Sequence, residues 1–294
     1  MANPWPDYEL IDFGAGRKLE RFGGRVFDRP APQADGIAQQ QPARWSQADA
    51  IYTGHKMGEG KWRCRVEGGL TTSLIKCPVA LKSDAPKAFR MEVQPTPAGQ
   101  LGLFPEQFPN WQWIARQIER AGGQVSVLNL FGYTGGSTLV AAIAGAEVTH
   151  VDASKPAVAT ARANARHSGL AEHPIRWIVE DVLAYCRREV QRGRQYDGVI
   201  LDPPTYGHGP KGQPWQLSRD LPQLLDLCRQ LTESRRLFVL ATCHTPGIGP
   251  AELSAYLSDG LFGHCGQPPA TDELALVTRG LRRLESGVIA RWPR

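Results

Sequence analysis

Two rhythms of apolar and polar positions divide this chain. From about residue 110 onward, short apolar runs rich in Val, Ile and Leu predict strands over 125–131, 147–151, 175–179, 198–201 and 237–241. Between and after them, apolar residues recur at helical spacing over 136–144, 155–167, 182–192, 215–232 and 250–257. Residues 111–121 show the same spacing and predict a helix that leads into the first of these strands. Two last strands, 273–278 and 287–292, have no long helix between them, so an antiparallel hairpin at one sheet edge is expected. Strand and helix in regular alternation predict an α/β domain on a mostly parallel sheet.

Before residue 110 the pattern changes. This part is rich in Pro, Gly and Gln, with short alternating stretches such as 61–66 and 89–93. The second stretch runs into the turn Pro97-Ala98-Gly99-Gln100 and the strand-like 101–104, which predicts a hairpin. Residues 29–43 are expected to be irregular, given their Pro and Gln content. The expected organisation is a small, mainly β domain over 1–109 and an α/β domain over 110–294, with no internal repeat.

Candidate chemistry gathers where the α/β strands end. The strand 125–131, which contains Asn129, runs into Phe131-Gly132-Tyr133-Thr134-Gly135-Gly136 and then into an alanine-rich helix. The second strand ends on Asp152, followed by Ala153 and Ser154. After the third come Glu180, Asp181 and Val182, and the fourth ends in Asp202-Pro203-Pro204-Thr205-Tyr206. This is the start of a nucleotide-binding βαβ unit. Small residues in the first turn let the backbone approach a ligand closely. An acid at the tip of the second strand can accept hydrogen bonds from a ribose diol. GxGxxG is absent and there is no Walker A lysine, so a pyrophosphate cradle is not expected.

These residues resemble the class I S-adenosylmethionine-dependent methyltransferases. Within that class they resemble the bacterial large-subunit rRNA methyltransferases, which carry NLFxYTGG and DPP motifs. The likeness covers residues 99–241 and includes Gly102-Leu103-Phe104-Pro105-Glu106-Gln107, similar to the family's GxFLDQR segment, with Phe108 in place of the arginine. It implies a Rossmann-like, doubly wound, mostly parallel seven-stranded sheet with an antiparallel C-terminal hairpin, beside the small mainly β domain. It implies S-adenosylmethionine as cofactor, held by Asn129, Phe131, Gly132, Tyr133, Thr134, Gly135, Asp152, Ala153, Ser154, Glu180, Asp181, Val182 and Asp202. Asp152 would take the ribose and Asp181 the adenine amino group. A sulfonium cofactor has no phosphate, which agrees with the missing anion cradle.

On the acceptor side the resemblance implies catalytic roles for Asp202, Pro203 and Pro204. A double proline has no N–H and a fixed φ, so it can form a rigid wall with free carbonyls. The glycine- and proline-rich loop 207–215 carries His208, Lys211 and Trp215, and could close over a flipped base; Trp215 could equally pack the start of the next helix. Members that methylate C5 of cytosine use a cysteine in a TCS-like segment as nucleophile, and Cys243 in Thr242-Cys243-His244 matches it. Thr205 and His244 depart from that pattern, and Asp202-Pro203-Pro204-Thr205-Tyr206 also resembles the DPPTF of members that methylate N7 of guanine. Direct transfer without a cysteine is therefore the competing route. The first hundred residues do not resemble the RNA-binding PUA module of the cytosine-C5 members.

Composition narrows the rest. The chain has 294 residues, 41% hydrophobic and 21% charged, which suits an ordinary globular protein. No apolar run approaches the roughly 20 residues needed to span a bilayer, and no charged start leads into an apolar segment, so neither membrane nor secretion is expected. Six cysteines stand singly, with no CxxC pair, so no metal is expected and a reducing cytoplasm is. A net charge of +5 is compatible with an RNA partner, as are the arginines at 187, 188, 192, 194, 279, 282, 283, 291 and 294. A methyltransferase acting on RNA is the leading expectation, and one acting on a protein or small molecule is the alternative. Oligomeric state is not legible in the sequence.

Overall fold

The computed structural model describes residues 5–56, 58–65, 72–82, 87–263 and 268–293. Its elements in chain order begin with β1 (Tyr8–Gly14), β2 (Arg17–Phe22), β3 (Arg25–Pro30), α1 (Pro42–Trp45), β4 (Ala50–Tyr52), β5 (Trp62–Cys64), β6 (Ser73–Val79) and β7 (Lys87–Val93). There follow α2 (Phe108–Ala121), β8 (Ser126–Leu130), α3 (Gly136–Ile143), β9 (Glu147–Asp152), α4 (Lys155–His167), β10 (Ile175–Val179) and α5 (Val182–Gln191). The chain ends with β11 (Gly198–Leu201), β12 (Tyr206–His208), β13 (Pro214–Gln216), α6 (Leu217–Thr232), β14 (Phe238–Cys243), α7 (Pro250–Leu257), β15 (Ala270–Val277) and β16 (Arg283–Trp292). Two compact units share these elements. One comprises Met1–Pro78, Arg90–Gln107 and Ala275–Ser286; the other comprises Val79–Phe89, Phe108–Leu274 and Gly287–Arg294.

The first unit holds a five-stranded sheet in the order β1-β2-β3-β4-β5. An aromatic row of Trp5, Tyr8, Phe22, Phe27 and Trp62 packs along it, with neighbouring ring centroids 5.1–6.0 Å apart. Polar residues are buried with them. Glu20 takes a hydrogen bond from Arg29 Nε at 2.7 Å and one from the Tyr8 hydroxyl at 2.9 Å, and Lys18 lies 3.4 Å away. Asp12 is fully buried and accepts from the backbone of Phe13 and Gln41, from Trp45 Nε1, and from Arg282 at 2.7 Å. Arg282 also lies 4.1 Å over the Phe13 ring.

Sequence expectations need correction here. The alternating stretch 61–66 narrows to Trp62–Cys64, and its last residue lies outside the described residues. No hairpin forms between 89–93 and 101–104: β7 pairs with β6 instead. The turn itself is present, closed by Thr96 N–H to Gln100 C=O and Gln94 N–H to Leu101 C=O, but no ladder continues from it. Residues 29–43 are only partly irregular, since Arg29 and Pro30 end β3 and Pro32–Ala34 forms a 3-10 turn.

The second unit carries the seven-stranded sheet, in the order β10-β9-β8-β11-β14-β16-β15. The first five are parallel neighbours, and β16 runs antiparallel to β14. The predicted α/β architecture and its C-terminal hairpin are therefore present. Period-two alternation sorts the faces. Leu128, Leu130, Val199, Leu201, Val239 and Ala241 join the apolar cluster of α5, α6 and α7. The alternate positions serve the other side, where Asn129 meets Thr138 of α3 and Phe238 meets Trp113 of α2. β8 and β11 lie side by side while their chain neighbours diverge, so a crevice opens beyond their carboxyl ends. Trp215 does not begin the helix: it pairs with Gly207 across β12 and β13, and α6 starts at Leu217.

The Glu20 cluster yields a stability prediction. Burial pushes the Glu20 carboxyl up, but the Arg29 guanidinium and the Lys18 ammonium outweigh it and hold it at about 2. A depressed carboxyl stabilises the folded state fully above its ordinary value near 4.5 and loses that contribution as pH falls toward 2. Arg29→Ala leaves the Glu20 charge buried without its main partner and should cost about 3–5 kcal/mol. Urea unfolding at neutral pH and near pH 3 measures both effects. Unchanged stability of the variant at neutral pH would contradict the account.

Candidate active site

The turn after β8 is held in an unusual backbone shape. Phe131 and Tyr133 both have left-handed φ, 57° and 47°, although neither is glycine. Such conformations cost on the order of 1–3 kcal/mol each and persist where the surroundings impose them. Two hydrogen bonds impose this one: Gly132 N–H to Val151 C=O at 3.1 Å and Gly135 N–H to Gly132 C=O at 3.0 Å. Gly132 must also lack a side chain. A β-carbon there would lie 2.4 Å from the His150 ring, and one at Gly135 would lie 3.1 Å from the Ala161 methyl.

His150 is the support that sequence reasoning missed. It is fully buried, and burial pushes its imidazole down to about 3, so it is neutral. Asn129 Nδ2 donates to Thr138 Oγ1 at 2.8 Å, and the Thr138 hydroxyl meets His150 Nδ1 at 2.8 Å. The His150 Nε2 is buried without a partner in the described structure. Its sequence signal was the alternation of β9, which puts His150 on the same face as Asp152. Asn129 is thereby a buried prop beneath the turn. Thr134 is held similarly, its carbonyl accepting from Asn164 Nδ2 at 2.9 Å.

Asp152 ties the second strand to this turn. Its Oδ2 accepts from Tyr133 N–H at 2.8 Å and its Oδ1 from Ser154 N–H at 2.8 Å. Burial raises its carboxyl, and these two backbone donors pull it back only in part. Each carboxylate oxygen has a second lone pair, which leaves capacity for a ribose diol. Ala153 lies between them, and Ser154 caps α4 by accepting from Ala157 N–H. Asp181 likewise caps α5 through Ala184 N–H at 2.9 Å. A β-carbon at Gly209 would lie 3.2 Å from the Asp181 Cβ, so the β12–β13 hairpin reaches this helix start. Two other expected contacts are otherwise engaged. Glu180 forms a two-pronged ion pair with Arg188, and the Val182 side chain lies in the apolar core.

The fourth strand ends on Asp202, whose Oδ1 accepts from the Thr242 hydroxyl at 2.6 Å and faces His244 Nε2 at 3.3 Å. Burial pushes this carboxyl up, but the His244 imidazole and the two hydrogen bonds hold it below the usual range. The double proline is a wall, but not one of free carbonyls: Pro204 C=O accepts from Trp215 Nε1 at 2.7 Å. Trp215 is buried with its ring centroid 4.9 Å from that of Phe131, so the packing role of this residue is the one realised. The expected open loop is a two-stranded hairpin carrying His208, with Lys211 exposed at its turn.

Cys243 requires the largest correction. It is 2% exposed, and it lines a small apolar cavity with Leu201, Leu221, Leu225, Leu253 and Leu257. Alternation along β14 gives Thr242 to Asp202 and turns Cys243 into the core. A nucleophilic cysteine needs access to its substrate, and a thiol buried among leucines has none.

The crevice thus combines a close-approach turn, a strand-end carboxylate with spare lone pairs, and a second strand-end acid followed by a double proline. It has no phosphate cradle. The family of S-adenosylmethionine-dependent methyltransferases matches the chain over residues 85–257, more than half its length. The chain belongs to this family. Its cofactor is S-adenosylmethionine, which supplies a methyl group on a sulfonium when bound. A crystal structure of the SAM-dependent methyltransferase from Agrobacterium tumefaciens superposes with a TM-score of 0.87, at 38% identity over 97% of this chain and 90% of that one. Two curated relatives bear the name Ribosomal RNA large subunit methyltransferase I. The one from Pseudoalteromonas translucida is 30% identical over 142 residues, 48% of this chain and 34% of its own length. The one from Photobacterium profundum is 43% identical over 81 residues, 27% of this chain and 20% of its own length. The chain spans about a third or less of the length of these two relatives.

Gly132→Ala should lower affinity for S-adenosylhomocysteine at least about tenfold, or 1.4 kcal/mol, because the added methyl group displaces the turn or His150. Calorimetry with circular dichroism as a folding control checks this. Wild-type affinity in a folded variant would refute the steric account.

Proposed function

We propose that this methyltransferase acts on a base of ribosomal RNA. The observation that carries the reading is the match to curated proteins named Ribosomal RNA large subunit methyltransferase I. The site is compatible with it. Asp152 is proposed to take the ribose of the cofactor, with Gly132, Tyr133, Thr134 and Gly135 along its length and Asp181 toward its adenine. Asp202, Pro203 and Pro204 are proposed to form the acceptor wall. Tyr206, immediately beyond that wall, is 71% exposed, which suits stacking of an unpaired base. Lys211 and His208 on the same hairpin add donors for phosphate.

The arginines singled out in the sequence contribute less than expected. Arg188, Arg192, Arg279 and Arg282 are engaged with Glu180, Glu189, Glu9 and Asp12, and Arg291 bonds Asn110. Arg187, which donates to the uncharged Gln223 side chain, keeps its charge unspent. Among the described residues no helix is long and apolar enough to cross a membrane, and no group of three metal-ligating side chains occurs. A ribosomal substrate would place the enzyme in the cytoplasm, where the five free cysteines of the described residues would stay reduced.

Transfer from labelled S-adenosylmethionine to total RNA, protein and metabolite fractions tests the reading. Label is expected in RNA, with binding that weakens steeply as salt rises, because phosphate contacts release counterions. Label confined to protein or metabolites would overturn the RNA assignment in favour of the alternative acceptors.

A further inference from the structure

The two helix layers of the α/β unit differ in charge. On one face of the sheet α2 packs on α3 and α3 on α4, while α5, α6 and α7 cover the other. The second layer is balanced. Its helices carry four arginines against four acids, and three of those arginines are held in ion pairs. The first layer is not. Its helices expose Arg116, Arg120, Lys155, Arg162 and Arg166, and their only acid is Glu119, which accepts a hydrogen bond from the Lys82 N–H. None of the five cations has an ion pair or a side-chain hydrogen bond with another described residue.

Their placement works against the fold. Lys155 is the first residue of α4, where the positive end of the helix dipole disfavours a cation. Arg162 and Arg166 are like charges four residues apart on one helix, and so are Arg116 and Arg120; such pairs weaken a helix. On α4 the three cations also share one stripe. Lys155, Arg162 and Arg166 are spaced by two turns and then one, and they span roughly 16 Å of helix. Ala157, Val158, Ala161 and Ala165 bury the opposite side. Ala159, exposed within the stripe, adds no bulk that would hold a polymer away.

We propose that this stripe of α4, together with Arg116 and Arg120 of α2, binds the phosphate backbone of the RNA. The identity of the partner rests on the ribosomal RNA reading above. A line of unpaired like charges that destabilises its own helix is offset by a partner carrying repeated negative charge, and a lone anion could not meet all of it. Lys155 directly follows Asp152, Ala153 and Ser154 at the carboxyl end of β9, so the stripe starts at the crevice and runs away from it. Contacts of this kind hold and orient a nucleic acid without reading its sequence.

The test measures binding of the full chain to in-vitro-transcribed large-subunit ribosomal RNA over a range of salt. Arg162→Gln with Arg166→Gln should weaken binding at least about fivefold at low salt. It should flatten the slope of log affinity against log salt by about 1.4 to 1.8, the value for two lost phosphate contacts. Affinity for S-adenosylhomocysteine should stay at the wild-type value, and Tm should equal or exceed it, because a repulsive pair has been removed. Arg194→Gln with Arg229→Gln removes the same charge from the opposite side of the sheet and should leave the salt slope unchanged. Wild-type RNA binding in the α4 variant, or equal losses in both variants, would overturn the proposal. So would phosphatidylglycerol vesicles that bind the wild-type chain more tightly than RNA does and release the α4 variant, which would assign the stripe to a membrane surface. If RNA binds through the stripe but takes up no methyl group, the acceptor reading fails and the surface stands. If RNA is methylated while the α4 variant binds it as the wild type does, the acceptor reading stands and the surface fails.

Discussion

Strand β8 delivers its turn directly over the ring of His150, and the fit works only because residue 132 has no side chain. Much else in the second unit follows from that contact. It lets Gly132 N–H reach the Val151 carbonyl, which locks the end of β8 to the end of β9. It brings Tyr133 N–H onto the Asp152 carboxylate, so the strained turn and the strand-end acid become one object. The cost lies beneath: a neutral buried histidine with one nitrogen unpartnered, and two non-glycine residues in left-handed backbone. Local rules broken at a strand end, inside a sheet that otherwise obeys them, mark where function constrains the chain.

The same sheet edge arranges the acceptor side. β11 and β14 are parallel neighbours, so Asp202 and Thr242 emerge at the same level and bond each other. β16 runs the other way and brings Gly287 against His244. The proposed cofactor residues and the proposed acceptor residues thus lie on either side of the β8–β11 junction.

How much of this was legible in the sequence depended on whether polarity tracked exposure. In the α/β half it did. The apolar runs of β8, β11 and β14 are buried on both faces, and all of those strands were predicted, as were Asp152 at the end of β9 and Asp202 after β11. In the first unit it did not. β1, β2 and β3 passed unnoticed because Asp12, Glu20, Asp28 and Arg29 occupy inward positions that a hydrophobicity pattern assigns to solvent. Those charges are buried because they have partners, some more than ten residues away, and a single sequence does not show pairing at that range. At the site, the glycine turn was readable, but its support by His150 and the seat of His244 depend on which strands lie side by side. Alternation puts Thr242 and Cys243 on opposite faces of β14, but both faces are buried, and only the neighbouring β11 shows which one meets Asp202.

The central claim is that the turn after β8 and the Asp152 carboxylate together hold the ribose end of S-adenosylmethionine. A crystal structure of the chain with S-adenosylhomocysteine tests it most directly. The account predicts both ribose hydroxyls within hydrogen-bonding distance of the Asp152 oxygens, with the thioether sulfur toward Asp202. A ribose bound elsewhere, with Asp152 still bonded only to Tyr133 and Ser154, would contradict it.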